Sequence, residues 1–225
     1  MKTALFIKAL TLLPVVFISA AETPLDLLAL PASDGDAVVS QNQWLASSFI
    51  SGEEAPAYRV EALTIRLDCV AANASVFMGI TASVNGRPDL SDIRVMFDET
   101  PLTVDTHSSG AFSMTLEPDY TFSDPILMSG GDYWLVFGVT SPDWESPQPA
   151  GLYHWSYTTD GGPYAASGGW SVGSAIATGN TGGQNWMPEN NTPYLFKLEV
   201  SAIPEPSAAV LLLMAGVLFG RRRIA

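Results

Sequence analysis

The sequence predicts an all-β protein, a two-sheet antiparallel sandwich of jelly-roll type, flanked by an N-terminal signal peptide and a short C-terminal transmembrane helix. Three observations predict the sandwich. Apolar residues alternate with polar ones in run after run, the period of a half-buried strand. Clusters of Gly, Asn, Asp, Ser and Pro separate the runs. No capped segment with helical periodicity and useful length lies between the two termini.

The elements follow in chain order. Met1 to Lys8 carries Lys2 and Lys8, and the apolar stretch Ala9 to Ile18 comes next. Ser19-Ala20-Ala21 supplies the small residues that a signal peptidase reads, so residues 1–21 are expected to leave by cleavage after Ala21. The apolar stretch contains Pro14 and falls well short of the ~20 residues a spanning helix needs. From there Leu63, Ile65, Leu67 and Cys69 form one inward phase, and Val76, Met78, Ile80, Ala82 and Val84 a second. Ile93, Val95 and Phe97 form a third, Phe112, Met114 and Leu116 a fourth, and Tyr194 to Val200 closes the domain with the same period. Tyr133-Trp134-Leu135-Val136-Phe137 is apolar on both faces, as expected of a central strand. Leu152 to Tyr157 sets Tyr153, Trp155 and Tyr157 on one face.

Turns are expected at Asn85-Gly86-Arg87-Pro88, Ser129-Gly130-Gly131-Asp132 and Asp160-Gly161-Gly162-Pro163, where positive φ is available. Gly161 to Pro193 is rich in Gly, Ser, Asn and Thr and reads as a long loop with one short strand near Trp170. The β domain is therefore placed at residues 22–202, and residues 203–225 form a separate tail.

Charge excludes some partners. The whole chain carries a formal −13. Between Glu22 and Ile203 five basic residues (Arg59, Arg66, Arg87, Arg94, Lys197) stand against 22 acidic ones, a formal −17. Nucleic acid is not an expected partner, because neutralising phosphates needs a basic surface. One Cys rules out an internal disulfide framework, and two His rule out a His-rich metal centre.

The tail has three parts. Ile203-Pro204-Glu205-Pro206-Ser207 precedes the apolar run Ala208 to Gly220, and Arg221, Arg222 and Arg223 follow. As a helix the run reaches only about 20 Å against a hydrocarbon core of about 30 Å. With the domain exported, the arginines are expected to stay on the cytoplasmic side and set the topology. This ordered combination resembles the PEP-CTERM sorting signal of Gram-negative bacteria. The resemblance implies recognition at Pro204, Glu205 and Pro206 by an exosortase, transient residence in the inner membrane, and release to the cell surface or an exopolysaccharide matrix. A second resemblance covers most of the domain. Trp44-Leu45-Ala46-Ser47-Ser48-Phe49, Leu63-Thr64-Ile65-Arg66-Leu67, Gly131-Asp132-Tyr133-Trp134-Leu135-Val136 and Pro193-Tyr194-Leu195-Phe196 resemble, in that order, the choice-of-anchor β domains of the R type. That family label describes anchoring, and no catalytic residue comes with it.

Catalytic chemistry finds little support. Cys69 sits in an apolar strand phase, where a thiol is inert. His107 lies in Asp105-Thr106-His107-Ser108-Ser109, whose neighbours along the chain do not make a triad, and His154 lies in a strand. Asp34-Gly35-Asp36 and Asp160-Gly161-Gly162 read as ordinary turns; neither follows a complete calcium-loop pattern, so no cofactor is expected, the alternative being one calcium ion held by such oxygen-rich loops. Asn73-Ala74-Ser75 and Asn190-Asn191-Thr192 match the glycosylation pattern, and the bacterial host implied by the tail's resemblance would make both matches mostly meaningless. Trp155, Trp170 and Trp186, with Tyr157 and Tyr164, cluster in the last third. They are expected to fill the sandwich and pin the long loop, since large aromatics usually serve cores; exposed, they would instead stack on sugar rings. The expected function is a non-catalytic exported surface or matrix protein. The alternatives are a carbohydrate-binding module using exposed aromatics and a secreted hydrolase using carboxylates.

Overall fold

A computed structural model describes residues 20–30, 34–71, 75–97, 112–122, 124–141, 152–159, 165–178, 185–188 and 193–205. The described residues contain fourteen strands and no helix. In chain order they are β1 (Glu22–Asp26), β2 (Gly35–Val39), β3 (Leu45–Ile50), β4 (Ala57–Ala71), β5 (Ser75–Val84), β6 (Arg87–Met96) and β7 (Phe112–Leu116). Then come β8 (Ile126–Met128), β9 (Asp132–Ser141), β10 (Leu152–Tyr157), β11 (Ala165–Ala166), β12 (Ser171–Thr178), β13 (Trp186–Pro188) and β14 (Phe196–Ile203).

The pairing is nested about one tight turn. Asn85 and Gly86 both take positive φ, +54° and +70°, and join β5 to β6 as the two central residues of a hairpin. Outside this hairpin β4 pairs with β7 and β8, β3 with β9, β2 with β10, and β1 with β14, all antiparallel. The long hairpin is rolled up, so β14 and β10 also pair with β4, and β9 with β5. That is the jelly roll expected from the sequence.

The rolled hairpin makes two sheets, of eight and six strands; the second runs β13-β12-β3-β9-β5-β6. In the first sheet β4 is the spine. Ile65 faces Phe196 of β14 and Met114 of β7, whereas Leu67 faces Trp155 of β10 and Phe112 of β7. Hence β14 and β10 follow one another along one edge of β4, and β8 and β7 along the other.

The main core lies between the sheets. Leu63, Ile65 and Leu67 meet Val76, Met78 and Ile80, with Tyr133, Leu135 and Phe137 of β9 and Phe196, Leu198 and Val200 of β14. Tyr133 to Phe137 is central as expected, because β9 has β3 and β5 on its two sides. Its alternate residues Trp134 and Val136 join Trp44, Ala46, Phe77, Met96 and Trp186 in a second buried cluster on the other face of the same sheet.

Four expectations need correction. Ile93 does not share a face with Val95 and Phe97. Ile80 pairs with Val95 and Thr81 with Ile93, so Arg94 is an extra residue, and this bulge turns Ile93 onto the second cluster. Val84 is 49% exposed, because it stands at the hairpin tip, beyond the reach of the facing sheet. The segment from Gly161 to Pro193 is not one loop with a short strand. It holds β11, the eight-residue β12, and β13, which complete the edges of both sheets. Finally, Gly35 and Asp36 begin strand β2 rather than making a turn.

Candidate functional site

The first candidate is the pair of junctions where the folded domain meets its terminal segments. β1 begins at Glu22, one residue after the expected cleavage site, and Ala21 is exposed. β14 runs to Ile203, one residue past the boundary placed at 202, and Pro204 and Glu205 are exposed just beyond it. Proline offers no N–H to a ladder, which accounts for the strand stopping there. The end of β14 is well held. Ser201, Ala202 and Ile203 face Arg59, Tyr58 and Ala57 of β4, and Ser201 Oγ is hydrogen-bonded to Glu61 Oε1. The antiparallel register Glu22↔Val200 brings both junctions to the same end of the same sheet. Pro206, Arg221, Arg222 and Arg223 lie outside the described residues, as do the hydrophobic segments at both ends.

Trp155, Trp170 and Trp186 are buried, so of the two readings of these rings the one in which they fill the sandwich holds, and they are not sugar platforms. Trp155 is fully buried; its ring stacks on Tyr194 at 4.6 Å, and its Nε1–H donates to the Leu195 carbonyl at 3.1 Å. Trp170 is buried beside Phe49 and Tyr58, at 6.2 and 5.0 Å between ring centroids. Trp186 is buried in the second cluster. The reason is topological: Trp155 lies in β10, Trp186 in β13 and Trp170 immediately before β12, so their rings meet distant strands rather than solvent. Tyr157 is half-buried, and Tyr164 lies outside the described residues.

The exposed aromatics stand elsewhere. Tyr120 is 55% exposed and Phe122 is 52% exposed, both on the turn between β7 and β8. This turn is pinned. Asp119 Oδ1 accepts from the Thr121 N–H at 2.8 Å and from Thr121 Oγ1 at 2.6 Å. The Phe122 N–H donates to the Asp119 carbonyl, and the Asp119 N–H donates to Met96 O at 2.7 Å. These bonds make an Asx turn tied to the opposite sheet. They also hold the Asp119 carboxyl below the usual carboxylate range, the Thr121 hydroxyl contributing most. The Tyr120 phenol is pushed up, mainly by loss of solvent and next by the negative charge of Glu61, with Arg59 opposing. Sequence periodicity passes over this turn because it is neither strand nor helix. The one local signal was Asp119 two residues before Thr121, with an aromatic residue on either side of that threonine.

Beside the turn, the outer face of the first sheet is polar. β4 bulges at Glu61, since Val60 faces Val200 and Ala62 faces Glu199. Arg59, Thr64 and Arg66 alternate with the buried Val60, Leu63, Ile65 and Leu67. Thr64 and Thr115 share a hydrogen bond of 2.9 Å across β4 and β7. Arg59 lies 4.0 Å from Asp124, a loose and exposed pair.

The other residues considered for chemistry are dispersed. His154 is half-buried in β10, opposite Val38 and Asp68. Cys69 lies opposite Tyr153 in the ladder, with its side chain outside the described set. Asp34 Oδ2 accepts from Thr158 Oγ1, from the Thr159 N–H and from Thr159 Oγ1, which ties the start of β2 to the end of β10. His107, Asn73, Asn190 and Asp160 lie outside the described residues. Among the described residues no group of three or more His, Cys, Asp or Glu is placed to hold a metal ion.

Comparison with family models and with curated proteins finds no match. Among solved structures, the chain is similar to the crystal structure of the cysteine protease and lectin-like domains of Cwp84, a surface layer associated protein of Clostridium difficile. The identity is 13% and the TM-score 0.44; the match covers 76% of this chain and 37% of that one, so this chain spans well under half of its length. At that level of similarity nothing about activity, ligand or location passes to this chain.

Proposed function

We propose that this chain is the precursor of an exported, non-catalytic surface or matrix protein, trimmed at both ends. Signal peptidase would act after Ala21. An exosortase would act at Pro204-Glu205-Pro206 while the C-terminal helix resides in the inner membrane of a Gram-negative cell. One observation carries the reading: the jelly roll begins at Glu22 and ends at Ile203, and the flanking Ala21, Pro204 and Glu205 are exposed. That Ala21, Pro204 and Glu205 lie outside the strands supports cuts that leave the domain intact. A protease needs its substrate extended and accessible, and a cut inside β14 would unravel the sheet. The shared end of the sheet also suits a precursor held to one membrane by both termini, because neither connection needs to cross the domain.

The test is the intact mass of the mature protein recovered from its native cells. The expected mass starts at Glu22 and ends close to Pro206, with any added mass naming the anchor. A mass that retains the apolar run and the three arginines would overturn the sorting interpretation. Replacing Pro204, Glu205 and Pro206 by alanine is expected to leave the domain folded and the tail uncut; maturation at the wild-type rate would count against exosortase recognition.

A further inference from the structure

We propose that the turn carrying Tyr120 and Phe122, together with the outer sheet face beside it, is a binding site for neutral polysaccharide. The proposal concerns the folded domain and does not depend on how the termini are processed.

Two independent features point to a saccharide. The first is a pair of aromatic side chains, each more than half exposed, on a turn already held by the Asp119–Thr121 bonds and tethered to Met96. Large exposed aromatics on an ordered backbone lose little entropy when a ligand covers them. A pyranose presents an apolar C–H face to such rings. The second is the row of hydrogen-bonding side chains next to the turn. Arg59, Glu61, Thr64, Thr115 and Glu117 offer both donors and acceptors on one surface. Ring hydroxyls need both, and charged partners give the stronger bonds.

The competing occupants fit less well. A stable protein interface buries about 800 Å² per partner around an apolar centre, and two rings bordered by charged groups do not provide that. Anionic membranes and anionic polymers are opposed by the −17 of the domain, with Glu61, Glu117 and Asp124 next to the turn. A neutral glycan escapes this repulsion and uses the same carboxylates as acceptors.

The test is affinity electrophoresis of the full chain in a detergent without a sugar headgroup. The gels contain hydroxyethylcellulose, xylan or galactomannan, with alginate as the anionic comparison. Retardation by at least one neutral polymer and none by alginate is expected. Tyr120→Ala with Phe122→Ala should weaken the retardation at least tenfold, whereas Met187→Ala, which removes an equally exposed apolar side chain elsewhere, should not. Should the double variant fail to fold, nitration of Tyr120 in the native chain keeps the question open to test. The retarding glycan should slow it several-fold, and nitrated protein should no longer be retarded. No retardation by any neutral polymer, retardation by alginate alone, retardation that survives the double substitution, or nitration unchanged by glycan would each overturn the proposal. None of these results bears on the intact mass that tests processing.

Discussion

Glu22 and Val200 stand opposite one another in adjacent antiparallel strands, so the chain enters and leaves the eight-stranded sheet at the same end. The first strand is five residues long, and its partner β14 is in turn paired along its whole length to β4. Among the described residues the sheet therefore starts at Glu22 and ends at Ile203, and Ala21, Pro204 and Glu205 are exposed beside it.

That boundary has a measurable consequence. A chain ending at Val200 loses the ladder partners of Arg59, Tyr58 and Ala57, while a chain ending at Glu205 keeps them. At roughly 1 kcal/mol per lost hydrogen bond, the shorter chain should be less stable by about 2–3 kcal/mol. Thermal unfolding of the two truncations checks this. Equal melting temperatures would mean that the last turn of the ladder contributes nothing.

Trp155 is predicted to be a stability residue. Trp155→Ala removes a fully buried ring, its stacking on Tyr194 and its bond to Leu195 O, and should cost about 3–5 kcal/mol. Trp155→Phe should cost about half as much, because the Leu195 carbonyl still accepts from the Arg66 N–H. Urea unfolding distinguishes the two; a neutral alanine variant would place the ring outside the core.

Gly138 admits no side chain. A Cβ there would lie 2.1 Å from the Trp44 ring, which itself stacks on Phe77 at 5.2 Å. Gly138→Ala must displace a buried indole and should destabilise by about 1–3 kcal/mol, with a changed Trp emission spectrum. An unchanged spectrum and midpoint would contradict the close approach.

Gly86 is constrained for a different reason. A Cβ meets nothing within 4 Å, yet φ is +70°. Gly86→Ala should therefore cost about 1 kcal/mol from backbone conformation alone, with no change in core packing. Methyl NMR shifts of Val76, Ile80 and Val95 should remain in place while the melting temperature falls; moved shifts would show that the turn sets the packing.

The acid limb of stability should involve Asp119 and Asp89. Each accepts bonds from the hydroxyl and N–H of the residue two positions on, Thr121 and Ser91, and each carboxyl is held below its ordinary value. A depressed native pKa contributes stability that is present above the unfolded value of about 3.9 and lost as pH falls through the native one. The loss is expected below about pH 4, and Asp119→Ala with Asp89→Ala should flatten that limb. Carboxyl NMR titrations with midpoints at or above the free-residue value would refute it.

Much of the sandwich was legible locally. The apolar phases at Leu63–Leu67, Val76–Ile80 and Phe196–Val200 turned out to be the facing walls of the core. A strand with one wet face must alternate, and a strand covered on both faces, as at Tyr133 to Phe137, must not. Asn85-Gly86 announced the innermost hairpin, because few other pairs accept two positive φ values in succession. The short outer strands β1, β2 and β8 were not legible: two to three apolar residues carry no period, and their pairing comes from partners far along the chain. The candidate site was less legible still, since the tryptophans that drew attention are buried and the exposed rings occupy an aperiodic turn.

By itself, then, the sequence determined the β class, the turn at Asn85-Gly86 and the acidic charge of the chain. Only the tertiary structure decided which aromatics face solvent. Local pattern records a side chain's phase relative to its neighbours. Burial depends on what packs against it from elsewhere, as Tyr194 does on Trp155 and Gly138 does on Trp44. Tyr120 and Phe122 remain exposed because the turn that carries them is tied by its backbone to Met96, with its rings left outside the roll.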